Sequence, residues 1–264
     1  MALLDHLREL RRRLFVATLA VLAGTAVGVL WFGHGIAAID LPSLGDVLTG
    51  PYCAVPAESR VTFGDDSSCQ LLATGPFSAV ELALKSALIA GIVLTAPIWL
   101  HQLWAFVAPA LHARERRYAI VFGGAGGLLF GAGAVLAYLV IREGLTVLLG
   151  FGGDTTIAAL SPESYFSFLI AMLIIFGVSF ELPLLLIMLN AAGVLTGERL
   201  ARSRRYAIFG LVVFAGLVVP GNDPITMGAL AMALVLLYEL AVQVTPGARS
   251  PRRPTGRRAG AAGR

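Results

Sequence analysis

Charge is scarce in this 264-residue sequence: Asp, Glu, Lys and Arg together make up 14%, lysine occurs once, at Lys85, and there are two cysteines. So little charge excludes the solvated surface of an ordinary soluble domain. The formal net charge of +4 is therefore not the footprint of a nucleic-acid-binding protein. There is no Walker phosphate loop, which excludes P-loop nucleotide chemistry. Neither an HExxH zinc signature nor a GxSxG nucleophile elbow occurs. The four histidines, His6, His34, His101 and His112, are scattered over ends and loops without ligand spacing, so no metal or cofactor is expected. An inverted repeat of the kind many secondary transporters carry is also missing. Nothing here marks an enzyme.

Apolar runs are abundant instead. Hydrophobic residues make up 57% of the chain, and the mean hydropathy is +0.81. Of the 20 basic residues, 17 fall in four short stretches: Arg8 to Arg13, Arg114 to Arg117, Arg199 to Arg205, and Arg249 to Arg264. Only Arg60, Lys85 and Arg142 lie elsewhere. Basic residues held on one side of a bilayer give this alternation. It predicts an all-α integral membrane protein with six transmembrane helices and both termini cytoplasmic. Charge-free stretches place span one at about 14–33 and span two within 86–113. Span three is expected at about 118–141 and span four from near 164 to 193, interrupted by Glu181. The last two, about 206–219 and 225–238, are short against the roughly 20 residues a hydrocarbon core requires. They read as a short hairpin around Pro220-Gly221-Asn222-Asp223-Pro224, because a single kinked span would put the basic tail outside. The run from Leu14 to Gly33 exceeds the apolar core of a cleavable leader and reads as a span.

The loop after span one is acidic and holds both cysteines, Cys53 and Cys69. Their joint placement on the oxidising side suggests a disulfide, the alternative being two free thiols. Residues 1–245 are read as one membrane domain. Residues 246–264, rich in Arg, Gly, Ala and Pro, are read as a disordered cytoplasmic tail.

Several residues admit a bland and a functional reading. Glu9 and Glu115 are carboxylates set into arginine-rich segments. Either they pair locally, Glu9 with Arg13 and Glu115 with Arg116 or Arg117, for about 0–1 kcal/mol if exposed. Or they receive guanidinium groups from a ligand, where each charged hydrogen bond contributes about 1.5–3 kcal/mol. Glu181 lies about 17 residues, or about 25 Å of helix, from both Ser164 and Glu198, within the bilayer. It is a functional-site candidate or a protonated acid bonded inside the bundle. Pro183 should kink that helix and free the Ser179 carbonyl. Glu81 and Lys85 form an i,i+4 pair, and Gly123, Gly127 and Gly131 predict close helix packing. Phe106 and Pro109 read as packing and a helix stop.

Five segments occur in order: Asp5 to Leu14 on an amphipathic helix, Phe106-Val107-Ala108-Pro109 through Arg117, Phe176 to Pro183, Arg204-Arg205-Tyr206-Ala207, and Leu237-Tyr238-Glu239-Leu240. On this six-span frame they resemble the TatC family, the multi-spanning subunit of the twin-arginine protein translocase. The resemblance covers about residues 4–242. Val219 stands where members often have Thr, Met227 where some have Gln, and the cysteine-bearing loop is longer than in many. The resemblance implies a receptor for twin-arginine signal peptides of folded cargo, driven by the proton-motive force. It implies TatA- and TatB-type single-span partners, a homo-oligomer within a hetero-oligomeric complex, and a location in the bacterial cytoplasmic membrane. Glu9 and Glu115 become the signal-binding carboxylates, with Arg11 orienting Glu9 or meeting lipid phosphate and Phe106 and Pro109 shaping the surface. Glu181 would line a concave, water-accessible face, and Asp223 becomes a partner-docking candidate. The reading set against this one is a proton-coupled secondary transporter that uses Glu181.

Overall fold

The structure is a computed structural model, described for residues 3–35, 42–55, 75–107, 116–150, 161–191, 193–221 and 223–245. All regular elements among these are helical. They are α1 (Leu3–Phe32), α2 (Leu44–Cys53), α3 (Ser78–Leu94), α4 (Ala96–Val107), α5 (Arg116–Gly150), α6 (Pro162–Ser179), α7 (Leu182–Ala191), α8 (Gly197–Arg202), α9 (Arg204–Val218) and α10 (Pro224–Val244).

Among the described residues, four helical segments are long and apolar enough to cross a membrane: 7–32, 121–147, 162–191 and 224–244. The bent pair α3–α4, with 59° between its halves, makes a fifth. The helix of span two starts at Ser78, ahead of the 86–113 window, and carries the expected Glu81–Lys85 pair on its first turns, with 2.6 Å between Lys85 Nζ and Glu81 Oε1. Span six is also longer than expected, 21 residues rather than a short segment. The 15 residues of α9 fall short of the roughly 20 that cross a hydrocarbon core.

Both helix breaks follow from proline. Pro97 cannot donate to the carbonyl of Val93, and α3 ends at Thr95, whose N–H and hydroxyl both return to Gly91 O. Trp99 Nε1 then donates to Ile92 O at 2.9 Å, which satisfies a carbonyl at the corner. Pro183 likewise leaves the Ser179 carbonyl without its helical donor, and the chain breaks at Phe180-Glu181 between α6 and α7.

Successive crossings run in alternating directions and pack through glycine. Gly24 and Gly28 of α1 face Gly91 and Ala87 of α3. Gly123 and Gly127 of α5 meet His101 and Pro97 of α4, where an added Cβ would fall 2.5 Å from side-chain atoms. Gly131, expected in the same stripe, opens instead into an apolar cavity of ≈ 340 Å³ lined also by Trp31, Val47, Leu94, Tyr138 and Leu173. Gly133 admits the Phe176 carbonyl of α6.

The buried side chains form separate cores. The larger runs through α2, α3, α5, α6, α9 and α10, around Tyr165, Phe166, Phe176 and Leu230. A second, between α4, α5 and α7, contains Ala96, Leu100, Trp104, Phe130, Leu184 and Met188. A third ties α8 to α10, where Tyr238 Oη donates to Leu200 O at 2.8 Å.

α2 lies in the loop after span one, where the reading above expects no helix. It caps the bundle end formed by the starts of α3 and α6, with Tyr138 Oη donating to Val47 O at 2.8 Å and Tyr165 Oη to Leu48 O at 2.6 Å. Its own start is a Ser-x-x-Asp box. Ser43 Oγ accepts from the Asp46 N–H and donates to Asp46 Oδ2. Cys53, at its end, is disulfide-bonded; the chain's other cysteine, Cys69, lies outside the described residues. Residues 246–264, read above as a tail, also lie outside them.

Candidate functional site

Glu9 sits on the first turns of α1, in a run whose alternation of leucine and arginine keeps it at a polar helix surface. Its Oε1 accepts from Arg13 Nε at 3.0 Å and from Arg13 Nη2, the local pair allowed by i,i+4 spacing. The side chains of Arg13 and Glu9 keep 24% and 37% of their exposure, so the pair is weak and open to competition. Arg11 is exposed. Glu115 and Pro109 lie outside the described residues, between the end of α4 and the start of α5. Phe106, half-buried on the last turn of α4, marks where that segment leaves the bundle.

Because α1 runs antiparallel to α3 and packs on α4, Glu9 and Phe106 lie toward the same end of the bundle. The start of α5 and the start of α9 lie at this end as well. Gly123 of α5 meets His101 of α4, and Arg204 Nη2 lies 3.4 Å from Glu239 Oε2 in the last part of α10. Arginine-rich segments thus gather at one end. The α2 cap and the disulfide-bonded Cys53 stand at the other.

Glu181 lies in the break between α6 and α7 and is 9% exposed. Trp104 Nε1 donates to its Oε2 at 3.2 Å. Oε1 has no hydrogen-bond partner among the described residues. Gly126 of α5 makes room for the carboxylate, since a Cβ there would lie 3.0 Å from Oε2. Gly177, one turn earlier, lies against Phe130 of α5, so the acid stands on the face that α6 turns toward α5. Trp104 was not singled out by sequence reasoning. Its indole N–H, in an apolar stretch facing a carboxylate on another helix, requires a partner when buried, and that was the available signal.

Asp223 is not a free loop tip. It is 3% exposed and caps α10, its Oδ1 accepting from the Thr226 N–H at 2.7 Å. Gly144 of α5 lies against the pair, and a Cβ there would come within 3.1 Å of Asp223 Oδ1. Among the described residues of the α9–α10 turn, Gly221 is exposed, at φ 88°, where glycine avoids left-handed strain. A partner reaching this turn therefore meets Gly221 and the rim before it meets the Asp223 carboxylate.

No group of three or more metal-ligating side chains occurs among the described residues. At the arginine-rich end the described residues offer the Glu9 carboxylate beside Arg13.

Known proteins share this sequence and this fold. A family model described as Sec-independent protein translocase protein (TatC) matches residues 5–232. A protein of that name from Corynebacterium kroppenstedtii is 47% identical over 253 residues, 93% of this chain and 61% of that protein. Its counterpart from Frankia casuarinae is 44% identical over 246 residues, 92% of this chain and 65% of that one. The chain thus spans less than two thirds of the length of these two relatives. The Aquifex aeolicus relative is 33% identical over 245 residues and is covered to 93% of its length. Among solved structures, the crystal structure of the twin-arginine translocase receptor TatC in DDM superposes with a TM-score of 0.71 at 31% identity, covering 91% of this chain and 99% of that one. On sequence and on fold together, this chain belongs to the TatC family of Sec-independent protein translocase proteins.

Proposed function

We infer that the protein is the signal-peptide receptor and core subunit of a twin-arginine translocase, exporting folded proteins across the bacterial cytoplasmic membrane at the expense of the proton-motive force. The observation that carries this reading is the position of Glu9 at the arginine-rich end of α1, the end to which α4 delivers Phe106. Glu9 and Glu115 each accept one guanidinium of the signal. Arg11 orients Glu9 or meets lipid phosphate, and Phe106 and Pro109 shape the surface beside them. The chain crosses the membrane six times with both termini cytoplasmic, α9 crossing as a short helix with the bilayer thinned around it. Single-span subunits of the TatA and TatB type complete the complex, in which the protein is also homo-oligomeric. Cys53 and Cys69 close the exoplasmic loop.

A peptide carrying consecutive arginines, titrated against the purified protein in nanodiscs, tests the reading. Binding should fall on the order of tenfold or more when the pair becomes Lys-Lys, because the bidentate geometry belongs to guanidinium. Equal affinity for the two peptides would remove the receptor assignment.

The buried, unpartnered Oε1 of Glu181 also fits a proton-coupled transporter. In the receptor reading this acid serves partner assembly and transport. Glu181→Ala should then abolish most export and alter partner crosslinks while leaving peptide affinity within about twofold, because the residue stands within the bundle rather than at the cytoplasmic carboxylates. Export assays and crosslinking in the same cells measure both. Full export with unchanged crosslinks would limit Glu181 to packing.

A further inference from the structure

Away from these residues, α3 and α6 run parallel without closing on one another. Leu88, Ile89 and Ile92 form one wall of the groove between them, and Ile170, Ala171 and Ile174 form the other. Each wall follows helical i, i+3, i+4 spacing, so the two stripes face each other along their length. At the end of the groove nearer α2, its lining changes to Lys85 and the Ser167 hydroxyl. One turn further out on the same helix faces stand Glu81 and Glu163. Passing outward, the groove is therefore apolar, then cationic, then anionic.

Residues 85 to 92 cover about 10 Å of helix. A volume of ≈ 310 Å³ over that length leaves room for the upper part of one hydrocarbon chain. The charges at one end select the occupant. Chain and charges together match a single amphiphile: acyl chain, phosphate, then ammonium.

We propose that the α3–α6 groove binds a zwitterionic aminophospholipid of the phosphatidylethanolamine class, with one acyl chain between the helices, its phosphate on Lys85 and Ser167, and its ammonium on Glu81 and Glu163. In the lipid-free structure Lys85 lies on Glu81, both partly exposed at 38% and 52% of their side chains. An exposed pair of this kind is weak and readily exchanged. A headgroup carrying the two opposite charges in matching order, phosphate and then ammonium, replaces it with charge-assisted contacts to Lys85 and to the two carboxylates. An anionic headgroup would satisfy Lys85 but bring its phosphate toward two carboxylates with nothing to offer them. Under the topology proposed above the seat lies in the outer leaflet; the seat itself does not depend on that topology.

Native mass spectrometry of the purified protein tests this, with equimolar phosphatidylethanolamine, phosphatidylcholine and phosphatidylglycerol of identical chains. The ethanolamine lipid should be retained on the order of tenfold above the glycerol lipid, the discrimination one charge-assisted bond supplies. The double variant Glu81→Gln/Glu163→Gln should erase that preference while the apolar seat persists. Ala171→Phe, which keeps every charge and fills the groove, should erase retention of all three. Thermal unfolding in detergent confirms that both variants fold. The proposal fails if the glycerol lipid is retained as well as the ethanolamine lipid. It also fails if neither variant changes retention, or if the groove is sealed by a second copy in a lipid-free dimer. No signal peptide is present in these measurements, so a negative result leaves the receptor reading untouched, and a failed peptide titration leaves the lipid seat untouched.

Discussion

Glu9→Ala is expected to weaken binding of an Arg-Arg signal peptide by about 10- to 150-fold, the equivalent of losing one charge-assisted acceptor of about 1.5–3 kcal/mol. Glu115→Ala should cost a similar factor. The double variant should lose less than the product of the two if the carboxylates act as one site. The structure supplies a control that separates a receptor carboxylate from a locally paired one. Arg13 occupies Glu9 in the free protein. If Glu9 exists to hold Arg13, then Arg13→Ala and Glu9→Ala should behave alike. If Glu9 receives the signal, Arg13→Ala removes a competitor and should bind the peptide at least as tightly as the parent, while Glu9→Ala binds it far less well. Peptide titration by fluorescence anisotropy in nanodiscs gives both numbers. Parental affinity in Glu9→Ala and Glu115→Ala alike would show that neither residue reads the signal.

A second large effect is expected where α1 crosses α3. Gly91→Ala places a methyl group 2.5 Å from the Thr25 backbone nitrogen, 2.7 Å from its hydroxyl and 2.9 Å from the Gly24 carbonyl carbon. Two of these are backbone atoms and cannot swing aside, so the helices must part. Overpacking of this kind costs about 1–3 kcal/mol. Gly124→Ala, on an exposed face of α5 with nothing within 4 Å, should be neutral or stabilising by about 0.5–1 kcal/mol through helix propensity. The same substitution should thus have opposite signs at two helical glycines. Unfolding midpoints of the two variants in one detergent measure this, and a Gly91→Ala protein as stable as Gly124→Ala would mean the crossing is not tightly packed.

Much of this architecture was legible because its causes are local. Helical breaks follow proline at positions 97 and 183, although only the second was anticipated. Pro97 stands inside an unbroken apolar run, and hydropathy registers the run rather than the missing N–H. The Glu81–Lys85 pair and two glycines of the 123/127/131 stripe followed from helical spacing. The third, Gly131, faces a cavity, and spacing cannot tell a close approach from a void. The α2 cap was announced by Ser43 and Asp46 but lay in a loop read for its charge and thiols. Asp223 was read as a turn residue on the surface. It is buried because Gly144, some 80 residues earlier, leaves room for it, a fact of tertiary packing that no local pattern carries. The Trp104–Glu181 bond is of the same kind, since it joins residues 77 apart.

The two proline breaks have a mechanical consequence. A helix transmits bending through its continuous ladder of i→i−4 bonds, and α3–α4 and α6–α7 both lose that ladder beside neighbouring glycines of α5, Gly127 at one break and Gly126 at the other. Below the breaks stands the small core of Ala96, Leu100, Trp104, Phe130, Leu184 and Met188. Above them stands the large core that the α2 cap closes. The Trp104–Glu181 bond ties α4 to the break between α6 and α7. Any bending at the two breaks would therefore be shared, and it would fall first on the six side chains of the smaller core.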